Sequence, residues 1–502
     1  MTACLLASAT TACSTSGPEA AERSTTTGSA QSTSTTTTVD DTNSTTTTAE
    51  SPPAKLTWTK CGTRFECAEL EVPVDYSKPD GPTMTIAINR RPASIPSERI
   101  GAILVNPGGP GASGKEFATQ LLFPKSIRDR FDIVGFDPRG VGDSDGLDCH
   151  SHLQEIYDAD PTIDDAGDRD HYLDVSRAFV DECAKKYADL LPHLGTANVA
   201  RDVDRIRAAL GDPKISFVGY SYGTSIGQQY AKEFPTHLRA LILDGVVDPS
   251  VDGLTAAADQ AAGFERALDA YIGDCDARNC IPGGARAAID RVVADAEKAP
   301  IPATGADRPV TPGVVNVALG YALYSDFLWA DLTDALRSAL RNDGTDLVQL
   351  ADGYLQRDSD GTYGGLFEIY FAVGCLDAKW PRNPDTVFAA AKRAAKSSPN
   401  FGEAIVNDYV RCALWPTPPQ PLTPVPSGIH ELPPVLVIST TGDPATPYEN
   451  GVHVAKQIPG ARLVTHRGEG HTVFMQGTSS CVDDLGVDYL LTAEVPSEDV
   501  TC

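Results

Sequence analysis

The segment Gly219-Tyr220-Ser221-Tyr222-Gly223 sets one serine between two glycines, where the apolar run KISFVGY gives way to the helical pattern TSIGQQYAKEF. A serine on such a strand-to-helix turn is held out above the end of the strand, because small glycines let strand and helix approach closely around it. Its hydroxyl is a weak nucleophile near neutral pH and needs a base, and the base needs an orienting acid. With this kind of turn, acid and base both follow the serine in the chain. Of the nine histidines, His471 in GEGHTVF lies just beyond a strand-like run near the C-terminal end. His466 sits inside that run and reads as structural. His453, in the helical NGVHVAKQI, reads as a surface or packing residue, and His430 lies in a Pro-rich loop. Asp443 closes the run VLVISTTGD, with room for one helix and one strand before His471. Asp244, which closes LILD, is the fallback acid. Ser221, Asp443 and His471 are therefore the candidate nucleophile, acid and base.

A second glycine-rich stretch, NPGGPGASGKE, follows an earlier apolar run. Gly109-x4-Gly114-Lys115 imitates the start of a phosphate-binding loop, but Glu116 stands where a Ser or Thr would touch magnesium, and a carboxylate there repels phosphate. The better expectation is a loop whose backbone N–H groups face a developing oxyanion. Pro110 has no N–H, so Gly109 is the expected donor, with Tyr222 as the second.

These residues need a scaffold. TMTIAINRRPA alternates as a strand, and IGAILVNPGG, RFDIVGFDPRG, KISFVGY and LRALILDGV are apolar runs that end in turn residues. NVARDVDRIRAALG repeats at helical spacing and stops at Gly211. Strands alternating with helices predict an α/β fold with a mostly parallel sheet. The alternation lapses between residues 249 and 426, where helical patterns dominate, and resumes with PPVLVISTTGDPATP and ARLVTHRGEGHTVF. The expected organisation is a core over 54–248, a helical cap over 249–426 and a returning core over 427–502. The cap would sit over the carboxyl ends of the strands, where open α/β sheets bind ligands.

Residues 1–53 differ in kind. MTACLLASATTAC resembles the end of a lipoprotein signal, with Cys13 as the candidate lipidation site, although it lacks a basic start and its apolar stretch is short. The Ser/Thr-rich sequence after it has little to bury and is expected to be a disordered tether. Twelve cysteines without a C-x2-C pair argue against zinc and for disulfides. Pairing by sequence neighbours predicts Cys61–Cys67, Cys149–Cys183, Cys275–Cys280, Cys375–Cys412 and Cys481–Cys502. The formal charge of −27 disfavours nucleic acid and anionic lipid as partners and suits cationic substrates. The expected location is outside the cell or on its envelope, with any membrane contact made through a lipid anchor.

NPGGPGASG, FDPRGVGDSD, VGYSYGTSIGQQYAKEFP, LILDGVVDP, STTGDPATP and GHTVF together resemble the actinobacterial tripeptidyl aminopeptidase family, α/β-hydrolase serine peptidases related to prolyl aminopeptidases. The resemblance runs from about Trp58 to Cys502, and six motifs in register are far more specific than one. It implies an α/β-hydrolase fold with an inserted helical cap, no cofactor, and an exported enzyme that releases short peptides, tripeptides above all, from free N-termini. It also implies the roles given above to Ser221, Asp443, His471 and the GGPG loop. Such an enzyme must hold a cationic N-terminus, and Glu368 and Asp377, around the apolar IYFAV stretch, are the candidates. A carboxylesterase of the same fold and a non-catalytic binding protein on a hydrolase scaffold are the alternatives.

Overall fold

The computed structural model describes residues 55–149 and 153–502. The candidate lipidation site Cys13 and the Ser/Thr-rich tether lie outside the described residues.

Ten strands form one sheet: β1 (Thr59–Lys60), β2 (Glu66–Pro73), β3 (Thr83–Arg91), β4 (Gly101–Asn106), β5 (Phe131–Phe136), β6 (Ile215–Tyr220), β7 (Leu238–Asp244), β8 (Val435–Gly442), β9 (Arg462–Glu469) and β10 (Val500–Thr501). Their order is β1-β2-β3-β5-β4-β6-β7-β8-β9-β10. The first three are joined antiparallel, β3 pairs antiparallel with β5, and every pairing from β5 onward is parallel. Strands β4, β5 and β6 are buried at every position, which is why they read as continuous apolar runs.

Alternate residues of each strand serve opposite faces. Leu104, Phe217, Leu241, Leu243, Val435 and Val437 pack with helices 196–210, 223–233 and 448–457. Ile103, Val105, Val218, Ile242, Leu436 and Ile438 pack with helices 114–120, 125–128 and 480–492. Each such side chain, removed from water, contributes on the order of 1.5–3 kcal/mol. The sheet is thus fixed from both sides, and its carboxyl edge is a rigid base for the loops that follow β4, β6, β7, β8 and β9.

Between β7 and β8 the chain runs through helices from Gly253–Ala277 to Val410–Leu414, as the lapse in alternation predicts. This segment has its own apolar core around Leu268, Ile289, Leu319, Leu336 and Val348. The helical layer also has a second source. Helix Ala166–Tyr187, from the excursion between β5 and β6, puts Tyr172 and Leu173 into one cluster with Ala257, Val387, Phe388 and Val410. The layer is therefore built by two insertions rather than one. No helix among the described residues is long and apolar enough to cross a membrane.

All five expected disulfides are present. Cys149–Cys183 fastens helix Ala166–Tyr187 to the segment after β5, and Cys375–Cys412 joins helices Leu366–Asp377 and Val410–Leu414. Thiol alkylation of the denatured, unreduced protein should leave these ten cysteines unmodified. Alkylation followed by intact mass is the measurement, and labelling of all ten would show that the bridges do not form in the protein as made.

Candidate active site

Ser221 follows the last residue of β6 and stands directly before helix Gly223–Glu233, with Tyr222 as the N-cap. The two motif glycines are sterically required. A Cβ on Gly219 would lie 2.3 Å from the Gly223 carbonyl oxygen, and one on Gly223 would lie 2.5 Å from the Asn106 carbonyl oxygen. Ser221 itself has φ of 54°, a left-handed conformation that costs energy for a residue with a side chain. It is held there from both sides. Its N–H donates to the Asp244 carbonyl at 2.9 Å, and its own carbonyl accepts from the Thr224 N–H at 2.9 Å and the Thr224 hydroxyl at 2.6 Å.

His471 lies on the loop after β9 and Asp443 directly after β8. His471 Nδ1 is 2.9 Å from each carboxylate oxygen of Asp443, so that nitrogen carries the hydrogen and donates it. Nε2 is buried with no hydrogen-bond partner among the described residues. Asp443 is fixed in turn by the N–H groups of Ala445 and Thr446, both at 2.9 Å, and by the Thr446 hydroxyl at 3.0 Å. Burial alone would lower the His471 pKa. The Asp443 carboxylate and its hydrogen bond outweigh that, helped by Asp244, and hold the imidazole above its ordinary value.

Asp244, the fallback acid, has different partners. Its Oδ2 accepts the N–H groups of Val473 and Phe474, each at 2.8 Å, and so anchors the chain just beyond His471. Burial pushes this carboxyl up to about 6, against those two hydrogen bonds and the nearby imidazole.

On the other side of the serine, the Asn106 side chain accepts the Gly108 N–H at 3.0 Å, and Ser113 caps helix Gly114–Gln120. The P-loop look-alike is thus a strand-to-helix turn. Neither the Gly109 N–H nor the Tyr222 N–H meets an acceptor among the described residues, and both residues line the same cavity as Ser221 and His471. The Tyr222 ring is tied down by its hydroxyl, 2.5 Å from the Thr196 hydroxyl.

The cavity measures about 920 Å³ and is roofed by the helical layer. The structure separates the two acidic residues expected at its wall. Glu368 does not line it: the side chain is buried, Oε2 has no hydrogen-bond partner among the described residues, and burial pushes the carboxyl up to about 7. Asp377 does line it, but both of its oxygens are engaged, one by the Thr196 N–H at 3.1 Å and the other by the Thr196 hydroxyl. It caps the start of helix Thr196–Leu210, whose own N-cap residue, Gly195, has no side chain to do so. Through Thr196 it also braces Tyr222. Burial pushes this carboxyl up to about 7, although the Thr196 bonds pull it down.

A third acid was missed in the sequence. Asp408 lines the cavity beside Tyr354 and Tyr409. Its Oδ1 accepts from the Tyr172 hydroxyl at 2.6 Å and from Arg411 at 2.7 Å, while the side chain remains 47% exposed. Thr446 was missed as well. The only sequence signal for it is its place in GDPATP, three residues after the acid, where a hydroxyl can close a turn.

A sequence profile for the alpha/beta hydrolase fold matches residues 101–478. The chain belongs to the α/β-hydrolase family. It is 40% identical over 458 residues to the serine protease Hip1 of Mycobacterium tuberculosis, covering 87% of either chain. It is 38% identical over 462 residues to carboxylesterase B of the same organism, covering 87% of this chain and 86% of that one. With the tripeptidyl aminopeptidase of Streptomyces lividans it shares 33% identity over 475 residues, covering 89% of this chain and 87% of that one. The family resemblance read from the six motifs therefore stands, and this α/β-hydrolase is a serine hydrolase.

Proposed function

We propose that this α/β-hydrolase is an exported serine peptidase that releases short peptides, tripeptides above all, from the free N-termini of peptides. The observation that carries the reading is an imidazole bonded to a carboxylate through Nδ1, with Nε2 free, on the same cavity as a serine held at a strained elbow. In this reading His471 Nε2 takes the Ser221 proton as Oγ attacks the carbonyl carbon. Asp443 fixes the tautomer and stabilises the imidazolium. The Gly109 and Tyr222 N–H groups hold the oxyanion. His471 then gives its proton to the leaving amine, and water, activated by the same imidazole, frees the acyl group from Ser221. Five disulfides support export. The relative named tripeptidyl aminopeptidase supports the length of the product. Incubation with a mixed peptide library and mass identification of the products tests the reading. Tripeptides support it, single residues or dipeptides change the length, and no cleavage sinks it.

Asp408 is our choice to receive the substrate ammonium: Asp377 is occupied by Thr196, Glu368 does not line the cavity, and the other lining carboxylates, Asp248 and Asp252, are engaged by Ser250 and His453 and by the N–H groups of Leu254 and Thr255. Arg411 and Tyr172 orient its carboxylate through Oδ1, and no hydrogen bond to Oδ2 is found among the described residues. Asp408→Asn is expected to cut the preference for a free over an N-acetylated peptide about tenfold or more, the scale of a lost charged hydrogen bond. Comparing kcat/KM for the two peptides is the check. An unchanged ratio would remove Asp408 from recognition.

The esterase reading has one specific support, the relative named carboxylesterase B. The acyl-transfer machinery serves esters and amides alike. Matched peptide and ester substrates of the same acyl group separate the two, and turnover of the ester alone would favour the esterase.

A further inference from the structure

We propose that Tyr324, at the end of a helix in the helical layer, is a positioning residue for His471, so that the layer completes the base as well as roofing the cavity. The inference rests on the reading of His471 as the base. Helix Pro312–Leu323 ends at Tyr324, its C-cap. The last carbonyls of a helix have no partner within it. Here the Tyr324 carbonyl accepts the backbone N–H of His471 at 2.8 Å. The Tyr324 ring meets the imidazole edge-on, with centroids 5.5 Å apart and planes at 79°.

The sequence of the His471 loop admits this contact. Gly470 has φ of +105°, and a Cβ there would lie 3.1 Å from the Tyr324 carbonyl oxygen. The tyrosine is itself clasped within the layer. Its ring lies 5.5 Å from that of Phe264 and 5.7 Å from that of Tyr354, and its hydroxyl is 3.5 Å from the Tyr354 hydroxyl. The imidazole is therefore hemmed in at three places: Asp443 bonds Nδ1, Gly245 leaves no room for a Cβ, which would lie 2.9 Å from Cε1, and the Tyr324 ring meets it edge-on. The negative end of the helix also lies beside the ring as it becomes positively charged, which favours the imidazolium.

A side chain that only packed the cavity wall would change peptide binding and stability and leave the chemistry at Ser221 alone. The test is therefore a small methyl fluorophosphonate, too short to fill the cavity, with its labelling rate followed across pH. Tyr324→Ala and Tyr324→Leu should label roughly tenfold or more slowly, as expected when a reacting group is slightly misplaced. The acidic limb of the rate should move to higher pH, because water reaching the uncovered imidazole lifts the burial that now lowers its pKa. Asp443 and Asp244, the charged groups that face the ring, are unchanged in these variants. The backbone carbonyl that accepts the His471 N–H is kept in all of these variants, so they test the ring, and Tyr324→Phe, which keeps the ring, should recover most of the lost rate. The Leu variant decides if the Ala variant does not fold. Wild-type rate and pH profile in the folded Ala or Leu variant, with only KM for peptides altered, would overturn the inference. Failure of the wild-type protein to label would count against Ser221 as the nucleophile and remove the basis of the inference with it.

Discussion

Ser221→Ala is expected to lower kcat about 10⁶-fold, the scale of loss when the nucleophile of a serine–histidine–aspartate unit is removed. Labelling by a fluorophosphonate should vanish with it, since the reagent bonds the same oxygen. The fold should tolerate the change. The strain at position 221 lies in the backbone, and the bonds that offset it run through the Ser221 N–H and carbonyl, not through the hydroxyl. An alanine keeps all of them, so the melting temperature should move little while turnover is lost. The measurement is kcat on a cleavable tripeptide amide beside a thermal melt. A variant that stays folded and keeps more than about one hundredth of the activity would place the nucleophile elsewhere, because residual catalysis without it should be far smaller.

Asp443→Asn should be the next most damaging change, with kcat falling on the order of 10⁴-fold. Asparagine can accept the N–H groups of Ala445 and Thr446, so the turn can persist. It carries no charge, however, and its amide can favour the wrong tautomer of His471. The direction of the pH effect follows from the balance at the imidazole. In the native protein burial lowers the His471 pKa, and the Asp443 charge and hydrogen bond more than reverse this, leaving it above the ordinary value of 6.5. In the proposed mechanism the ring must be neutral to take the serine proton, so kcat/KM should rise with pH through that raised value. Without the charge, burial prevails, and the acidic limb should shift to lower pH even as the plateau falls. A pH profile of residual activity is the check. A fall in plateau with the limb unmoved would mean that Asp443 does not act through His471.

The elbow was legible because its sequence signals are local: an apolar strand, two glycines around a serine, and a helix, all within twenty or so residues. Asp443 and His471 were legible for a related reason. Each lies just past the end of a strand: β8 is buried over its first six residues, and β9 carries the buried Leu463, Val464 and His466. The cavity wall was harder. Helix Leu366–Asp377 is apolar almost all round, because it is packed on nearly every side, so its periodicity does not show which residues look into the cavity. That is how Glu368, on the hidden side, came to stand beside Asp377. The partner that occupies Asp377 is Thr196, far away in sequence and on the opposite side of the nucleophile. Asp408 and Tyr324 carry no local motif at all. What gives them meaning is the docking of helices over the sheet, which depends on long-range packing. The short β1 and β10 are two-residue pairings, below what alternation can reveal.

The helical segment between β7 and β8 also has a bearing on timing. It separates the serine from the acid and base by about half the chain, and the strands that present Asp443 and His471 are the last long ones to be made. A growing chain can complete the elbow, the glycine-rich loop and the layer over them while still lacking any base to activate the serine. Because β8 must pair with β7 across that whole intervening segment, the step that arms the serine is a late, long-range one. On the roles proposed for Ser221 and His471, an unfinished chain would carry the nucleophile before its base.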